Sequence, residues 1–232
     1  MKRLVFSFIA SSVVFLMSCG SGKNDQTDSN VESDVSSKPT ISCLDFAISE
    51  TYITLDPIKI TDIVSFHVTS QIFEPLLRFD DKDLSLKPLL VNSWIISEDY
   101  LTYTFSLKEG IHFQDNNCFP DGKGRELTAN DVVYTFKRIY SEKSSYAYNL
   151  FKNQIKGSQN YVEGDIEGLN AIDNYNIEFT LNKPSSNFLN LIANTVSAIV
   201  AKEAIEQNAI VGSGPFAYSK ENDTKTAITL LR

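Results

Sequence analysis

The sequence predicts a mixed fold in which strands and helices interleave, of the α/β or α+β class. Three segments carry that expectation. Residues 101–107 alternate strictly, with Leu101, Tyr103, Phe105 and Leu107 on one side and hydroxyl side chains on the other, the period of a half-buried strand. From Thr128 the period becomes helical: Val132, Val133, Phe136, Ile139 and Tyr140 form one apolar stripe. Thr128, followed three positions later by Asp131, resembles a capping box that satisfies free amides of the first turn. Ile177, Phe179 and Leu181 then alternate again until Pro184 stops the run. No segment repeats.

The other elements follow in order. Residues 41–48 read as a buried strand, and Leu55-Asp56-Pro57 as a turn. From Thr61 the positions Ile63, Phe66, Ser70 and Phe73 fall three or four apart, predicting a helix with that stripe that runs into Glu74-Pro75. Lys108-Glu109-Gly110 ends the strand at 101–107, and residues 116–125, dense in Asn, Asp, Gly and Pro, form a loop. Beyond Pro184 come a short helix at 187–193, an apolar strand at 196–200 and a helix at 202–207. The turn Gly212-Ser213-Gly214-Pro215 leads to strands near Phe216 and Ile228. The sequence stops inside this last strand, so a partial chain is expected.

Composition narrows the function classes. The 232 residues are 42% hydrophobic, 11% aromatic and 22% charged, which excludes wholesale disorder, collagen-like repeats and a multi-span membrane protein. A net charge of −8 disfavours polyanions, because neutralising phosphates needs clustered Lys and Arg; nucleic acid is not an expected partner. Lys2 and Arg3 precede an apolar run at 4–17, shorter than the about 20 residues of a spanning helix and typical of a secretory leader. Leu16-Met17-Ser18-Cys19 resembles a bacterial lipobox, which makes residues 1–18 a lipoprotein signal peptide and Cys19 the acylated N-terminus. An ordinary signal peptide with a chance cysteine is the plainer alternative. Removing residues 1–18 takes away Lys2 and Arg3 and no acid, leaving a net charge of −10. Residues 19–40, nearly devoid of apolar side chains, are expected to be a flexible tether. Export permits a Cys43–Cys118 disulfide, closing a loop of about 75 residues with about 4 kcal/mol of chain-entropy stabilisation. Two buried free thiols are the equal alternative.

Positive signs of catalysis are missing. His67 and His112 have neither paired-ligand spacing nor a cysteine pair beside them, so each reads as an ordinary histidine and no metal site is expected. Gly212-Ser213-Gly214 lacks the lysine and later glycine of a phosphate loop. Asp80, Asp81 and Asp83 lack the glycine and distant glutamate of a calcium loop and read as a solvated turn. Carboxylates are plentiful, yet nothing singles out an acid/base pair.

Five blocks follow one another: Ser70-Gln71-Ile72-Phe73-Glu74-Pro75-Leu76-Leu77-Arg78-Phe79-Asp80; Leu86-Lys87-Pro88-Leu89-Leu90-Val91-Asn92-Ser93-Trp94; Asp99-Tyr100 through Gly110-Ile111-His112-Phe113; Leu127-Thr128-Ala129-Asn130-Asp131-Val132-Val133-Tyr134-Thr135-Phe136-Lys137-Arg138; and Gly212-Ser213-Gly214-Pro215-Phe216. In that order they resemble the extracellular family 5 solute-binding proteins, the peptide, dipeptide and nickel binders of bacterial ABC importers. The resemblance implies a periplasmic binding protein-like α/β fold, a class II flytrap. Its first lobe would be discontinuous, from residues 41–75 and 185–232, with 76–184 inserted as a subdomain and the second lobe absent from this chain. The loop at 116–125 is longer than the Asp-Gly turn usual there.

The same resemblance implies the site and the partners. In oligopeptide-binding members the stretch after Leu-Asp-Pro touches the ligand, and Thr61, Asp62 and Ile63 occupy it here, although an acid at 62 is not required in those members. A tyrosine after the capped helix also reaches the peptide, and Tyr146 fits. Peptide amides and carbonyls would pair with backbone, as in strand addition. The plain readings are that Ile63 belongs to the helix stripe and that Tyr146 is a packed loop aromatic. The implied function is a lipid-anchored, monomeric receptor in the cell envelope, facing the periplasm or exterior, that captures peptide for an ABC permease and ATPase. It has no catalytic residue and no cofactor. The same scaffold carrying nickel chelate, haem or sugar is the runner-up; a lipoprotein hydrolase or a non-transport surface lipoprotein is the rival from another class.

Overall fold

Residues 50–224 and 227–231 are described by the structure, a computed structural model. The leader and tether expected at 1–18 and 19–40, the strand expected at 41–48, Cys19 and Cys43 lie outside the described residues. The chain divides into Met1–Thr40 and Ile41–Arg232, and everything below belongs to the second unit.

Leu55-Asp56-Pro57 opens into a 3-10 turn, Pro57–Lys59, with proline at its first position and Ile58 and Ile60 buried. Helix α1 spans Ile63–Ile72, capped by Asp62, whose Oδ1 accepts from the Ser65 amide at 2.8 Å. The helix is where the spacing placed it, but its buried face is not. Val64, Ser65, Val68, Thr69 and Ile72 point inward, while Ile63 is 69% and Phe66 38% exposed. Val64, Val68 and Ile72 are also four apart, so spacing offered two faces. The polar residues on the inward face are tolerated in part because the Ser65 hydroxyl accepts from the amides of Ile53 (2.9 Å) and Thr54 (3.2 Å).

β1 (Leu77–Phe79) and β2 (Leu86–Pro88) pair antiparallel around an acidic turn. In that turn Asp80 and Asp83 accept from the amides of Lys82 and Ser85, as a solvated turn should. β3 (Val91–Ile96), β4 (Thr102–Leu107), β5 (Leu169–Ala171) and β6 (Asn176–Thr180) form an antiparallel sheet of order β3-β4-β6-β5. As predicted, Tyr103, Phe105 and Leu107 are buried and their hydroxyl neighbours are not. α2 (Ala129–Ser141) and α3 (Tyr146–Phe151) lie between β4 and β5 in sequence. Rings knit sheet to helices: Phe136 meets Phe179 at 4.9 Å and Phe151 at 5.3 Å, and Tyr103 meets Phe188 at 4.9 Å. The capping box forms, with the Thr128 amide donating to Asp131 Oδ2 at 2.9 Å.

α4 (Phe188–Ile192) and α5 (Lys202–Glu206) lie where expected, but the strand at 196–200 does not exist. Asn194 Oδ1 accepts from the Val196 amide at 3.1 Å, and Thr195–Ser197 becomes a 3-10 turn. Residues 198–200 then run buried and without a strand partner. The Ile199 amide goes to Glu74 O (2.9 Å) and the Val200 amide to Thr135 Oγ1 (3.1 Å). Apolarity there reports burial, not sheet pairing. β7 (Ala217–Thr224) and β8 (Ala227–Leu231) close as an antiparallel hairpin. Tyr52 Oη donates to Asp223 Oδ2 at 2.6 Å, and Tyr218 Oη donates to the same oxygen, tying residue 52 to the hairpin. Burial, with Asp223 beside them, pushes both phenols up.

Candidate ligand-binding site

Thr61, Asp62 and Ile63 sit between the 3-10 turn and the first turn of α1. Thr61 and Ile63 face solvent, and Asp62 is committed to its capping bond through Oδ1. Ile63 is therefore not part of the packed stripe. Tyr146 is not a packed loop aromatic either: it opens α3, 44% exposed, while Ala147 and Phe151 form that helix's buried face. Ser145 caps α3 by accepting from the Tyr148 amide at 3.1 Å. The two stretches lie on neighbouring elements, because α3 packs against the 3-10 turn. Two surface grooves, of about 510 and 610 Å³, are lined elsewhere, the first by Ile96, Tyr100, Pro184 and Leu189, the second by Asn92, Glu109, Asp173 and Tyr175. None of the four candidate residues lines either groove.

Cys118 is buried with a free thiol, which burial pushes up. It belongs to a loop held by its own side-chain bonds. Asp115 accepts from the Gly124 amide at 3.0 Å and pairs with Lys123 Nζ at 2.6 Å, and Phe119 packs on Phe113 at 6.2 Å. Gly124 passes so close that a Cβ there would lie 1.7 Å from Phe113 O. His67 and His112 are exposed, and among the described residues no group of acids, His and Cys is placed to hold a metal ion.

Three residues that the sequence did not single out organise the site's surroundings. Gln114 gathers the 212–216 segment: its Nε2 donates to Gly214 O (2.9 Å) and Phe216 O (2.6 Å), and its Oε1 accepts from the Gly212 amide (3.2 Å). Arg125 holds two carboxylates, Asp131 and Glu203, in one plane of hydrogen bonds. Arg138 forks onto Asp56. The pairings of Gln114 with the 212–216 segment, Arg125 with Glu203 and Arg138 with Asp56 join residues far apart in sequence, so no local pattern announces them.

Glu74 lies at the crossing of these segments, with Ser213 Oγ donating to its Oε2 at 2.9 Å. Burial pushes its carboxyl above the ordinary glutamate range, while the Ser213 bond and Lys108 act the other way. A raised carboxyl is more easily protonated in the folded chain than in the unfolded one. Stability therefore falls as pH rises from the ordinary glutamate pKa through the higher folded value. Glu74→Gln is expected to flatten that part of the urea-midpoint profile above about pH 4.3. An unchanged slope would show that Glu74 is not the group responsible.

Residues 85–231 match the bacterial extracellular solute-binding proteins, family 5 Middle. The chain belongs to this family. Among the family's members, the glutathione-binding protein GsiB of Escherichia coli O1:K1 / APEC is 32% identical over 186 residues, covering 77% of this chain and 32% of that protein. The chain thus spans about one third of the length of the curated relatives it matches. The Helicobacter pylori periplasmic binding protein DppA, in complex with the peptide STSA, superposes with a TM-score of 0.61 at 27% identity, over 73% of this chain and 35% of that one. Listeria monocytogenes OppA bound to peptide gives 0.66 at 26%, over 79% and 36%. The fold is that of family 5 periplasmic binding proteins, and among the described residues no helix is long and apolar enough to cross a membrane.

Proposed function

We propose that the chain supplies the first lobe of a lipid-anchored receptor that captures peptides for an ABC importer and presents them to its permease and ATPase. Family membership supports this reading, and one geometric observation carries it to the residue level. Thr61, Ile63 and Tyr146, which the family resemblance marks as ligand contacts together with Asp62, face solvent on adjacent elements, while the half-buried Asp62 caps α1 and fixes the backbone between Thr61 and Ile63. A lobe that offers backbone and an aromatic face to an extended peptide needs no catalytic group. Ligand would be enclosed by closure of a second lobe, which accounts for candidate residues that line neither of the two grooves described.

Residues 41–75 and 185–232 are proposed as two strips of that lobe, with 76–184 inserted. In support, the second apolar cluster takes its buried members, among the described residues, from 55–73 and 198–200, with half-buried Tyr134 of the inserted stretch packed against it. Cys19 is proposed as the lipid attachment point and residues 19–40 as the tether.

Native mass spectrometry of the full-length protein tests the ligand class. Co-purified peptides of mixed sequence are expected; a nickel chelate, haem or sugar as the bound species would overturn the peptide reading. Tyr146→Ala should weaken peptide binding about fivefold, since stacking and packing by one aromatic are worth about 1 kcal/mol. For the anchor, Cys19→Ser should move the protein from the detergent phase to the aqueous phase in a detergent partition. Unchanged partition would remove Cys19 from that role.

A further inference from the structure

The proposed ligand contacts lie on two stretches, and a ladder of alternating charges runs between them. Arg138 Nη1 donates to Asp56 Oδ1 at 2.8 Å and Nη2 to Asp56 Oδ2 at 2.5 Å. Lys59 Nζ lies 3.5 Å from the same Asp56 oxygen and 4.0 Å from Glu142 Oε2. The side chains of Arg138 and Asp56 are 13% and 21% exposed, so the fork sits largely out of water; Lys59 and Glu142 are wetter and contribute less.

Position gives the fork its meaning. Asp56 opens the 3-10 turn that leads directly into Thr61, Asp62 and Ile63. Arg138 lies in the last turn of α2, Glu142 caps that helix, and α3 begins soon after with Tyr146. The fork therefore crosses from the strip carrying one half of the candidate site to the helix that feeds the other half. Ile58 and Ile60 already bury the turn itself, so the turn does not need the fork in order to form. What the fork adds is direction. A planar guanidinium bonded twice to a carboxylate has one geometry, whereas a single-point ammonium contact lets its partner slide and rotate.

We infer that Asp56 and Arg138 are a positioning pair for the ligand site, holding residues 61–63 at a set distance from Tyr146 before ligand arrives. Neither side chain touches the ligand. The consequence for affinity rests on the peptide-binding reading above; the consequence for local mobility does not. Presetting both halves lowers the ordering cost of binding, so loosening the fork weakens affinity without removing any contact to ligand.

The experiment uses the full-length protein with Arg138→Lys, Asp56→Asn and the double variant, and reads amide hydrogen exchange, thermal midpoint and peptide affinity by calorimetry. Arg138→Lys should speed exchange at residues 61–63 and 146–148 about tenfold, leave the β3-β4-β6-β5 sheet protected, and weaken peptide binding by about fivefold to tenfold. The double variant should bind about as weakly as the worse single variant, because both changes break one fork. Unaltered local exchange in folded Arg138→Lys and Asp56→Asn would overturn the inference. So would exchange that rises uniformly along the chain, the mark of a merely structural pair. If the unsubstituted protein binds no peptide, the peptide reading falls, and the exchange measurement still judges the fork.

Discussion

Gly212→Ala is expected to be among the most damaging single substitutions in the chain, costing on the order of 3 kcal/mol. A Cβ at 212 would lie 2.1 Å from Ile72 O and 2.8 Å from Ile72 C, and neither backbone atom can move away cheaply. The close approach has a cause at the end of α1. The last carbonyls of that helix have no partner within it, and the 212–216 segment supplies donors. The Gly214 amide bonds Ile72 O at 2.8 Å and the Phe216 amide bonds Gln71 O at 3.2 Å. Gln114 clamps the same segment and its Nε2 also reaches Ile72 O at 3.4 Å. Urea denaturation of Gly212→Ala beside Gly110→Ala checks this account. Gly110 has open space around its missing Cβ and a φ of +73°, so alanine there meets only backbone strain of about 1 kcal/mol. Equal losses at both positions would show that crowding at Ile72 is not what demands glycine.

Arg125→Ala is expected to cost about 3–4 kcal/mol, because it leaves the nearly buried Asp131 carboxylate without its cation. Arg125 donates to Asp131 Oδ2 at 2.9 Å and Oδ1 at 2.7 Å, and to Glu203 Oε1 and Oε2 at 2.8 Å each. It also lies over the Phe113 ring, 5.3 Å from its centroid. One guanidinium thus joins the start of α2, α5 and Phe113 of the loop between β4 and α2. Arg125→Lys keeps the charge but cannot form two forks, and should recover less than half of the loss.

The same residue shapes the acid limb of stability. Arg125 holds the Glu203 carboxyl below the ordinary glutamate range. A depressed carboxyl contributes stability that is present above its unfolded pKa and is lost as pH falls through the lower folded value. As pH falls below about 4.3 the unsubstituted protein should therefore lose stability that Arg125→Ala has already lost, and the two profiles should converge. Parallel urea midpoints across that window would remove Glu203 from the acid response.

How much was legible depended on how local each cause is. The alternating strand through Tyr103, Phe105 and Leu107, the strand at Ile177 and Phe179, and the capped helix at Thr128 were readable because adjacent residues decide them. β3 was harder: a register shift between Val91 and Ser93 breaks its alternation. β1, β5 and α3 are only three to six residues long, too short to show a period. Of the site, Thr61, Asp62, Ile63 and Tyr146 came from family resemblance, and the structure adds where they sit and what holds them.

The sequence by itself determined the class of the fold, the helix cap, the acidic turn and membership of the family, since these follow from spacing and short motifs. Tertiary structure alone decided which face of α1 is buried. Two stripes were available, and the one bearing Val68 and Ile72 won because it meets Leu55, Ala198 and Val200. Tertiary structure also turned the apolar stretch at 196–200 into buried, unpaired chain, because Glu74 and Thr135 accept its amides from other elements. The partners of Arg125 and Arg138 lie 78 and 82 positions away, at Glu203 and Asp56. A charge in a sequence does not name its counter-ion; only folding brings the two within hydrogen-bonding distance.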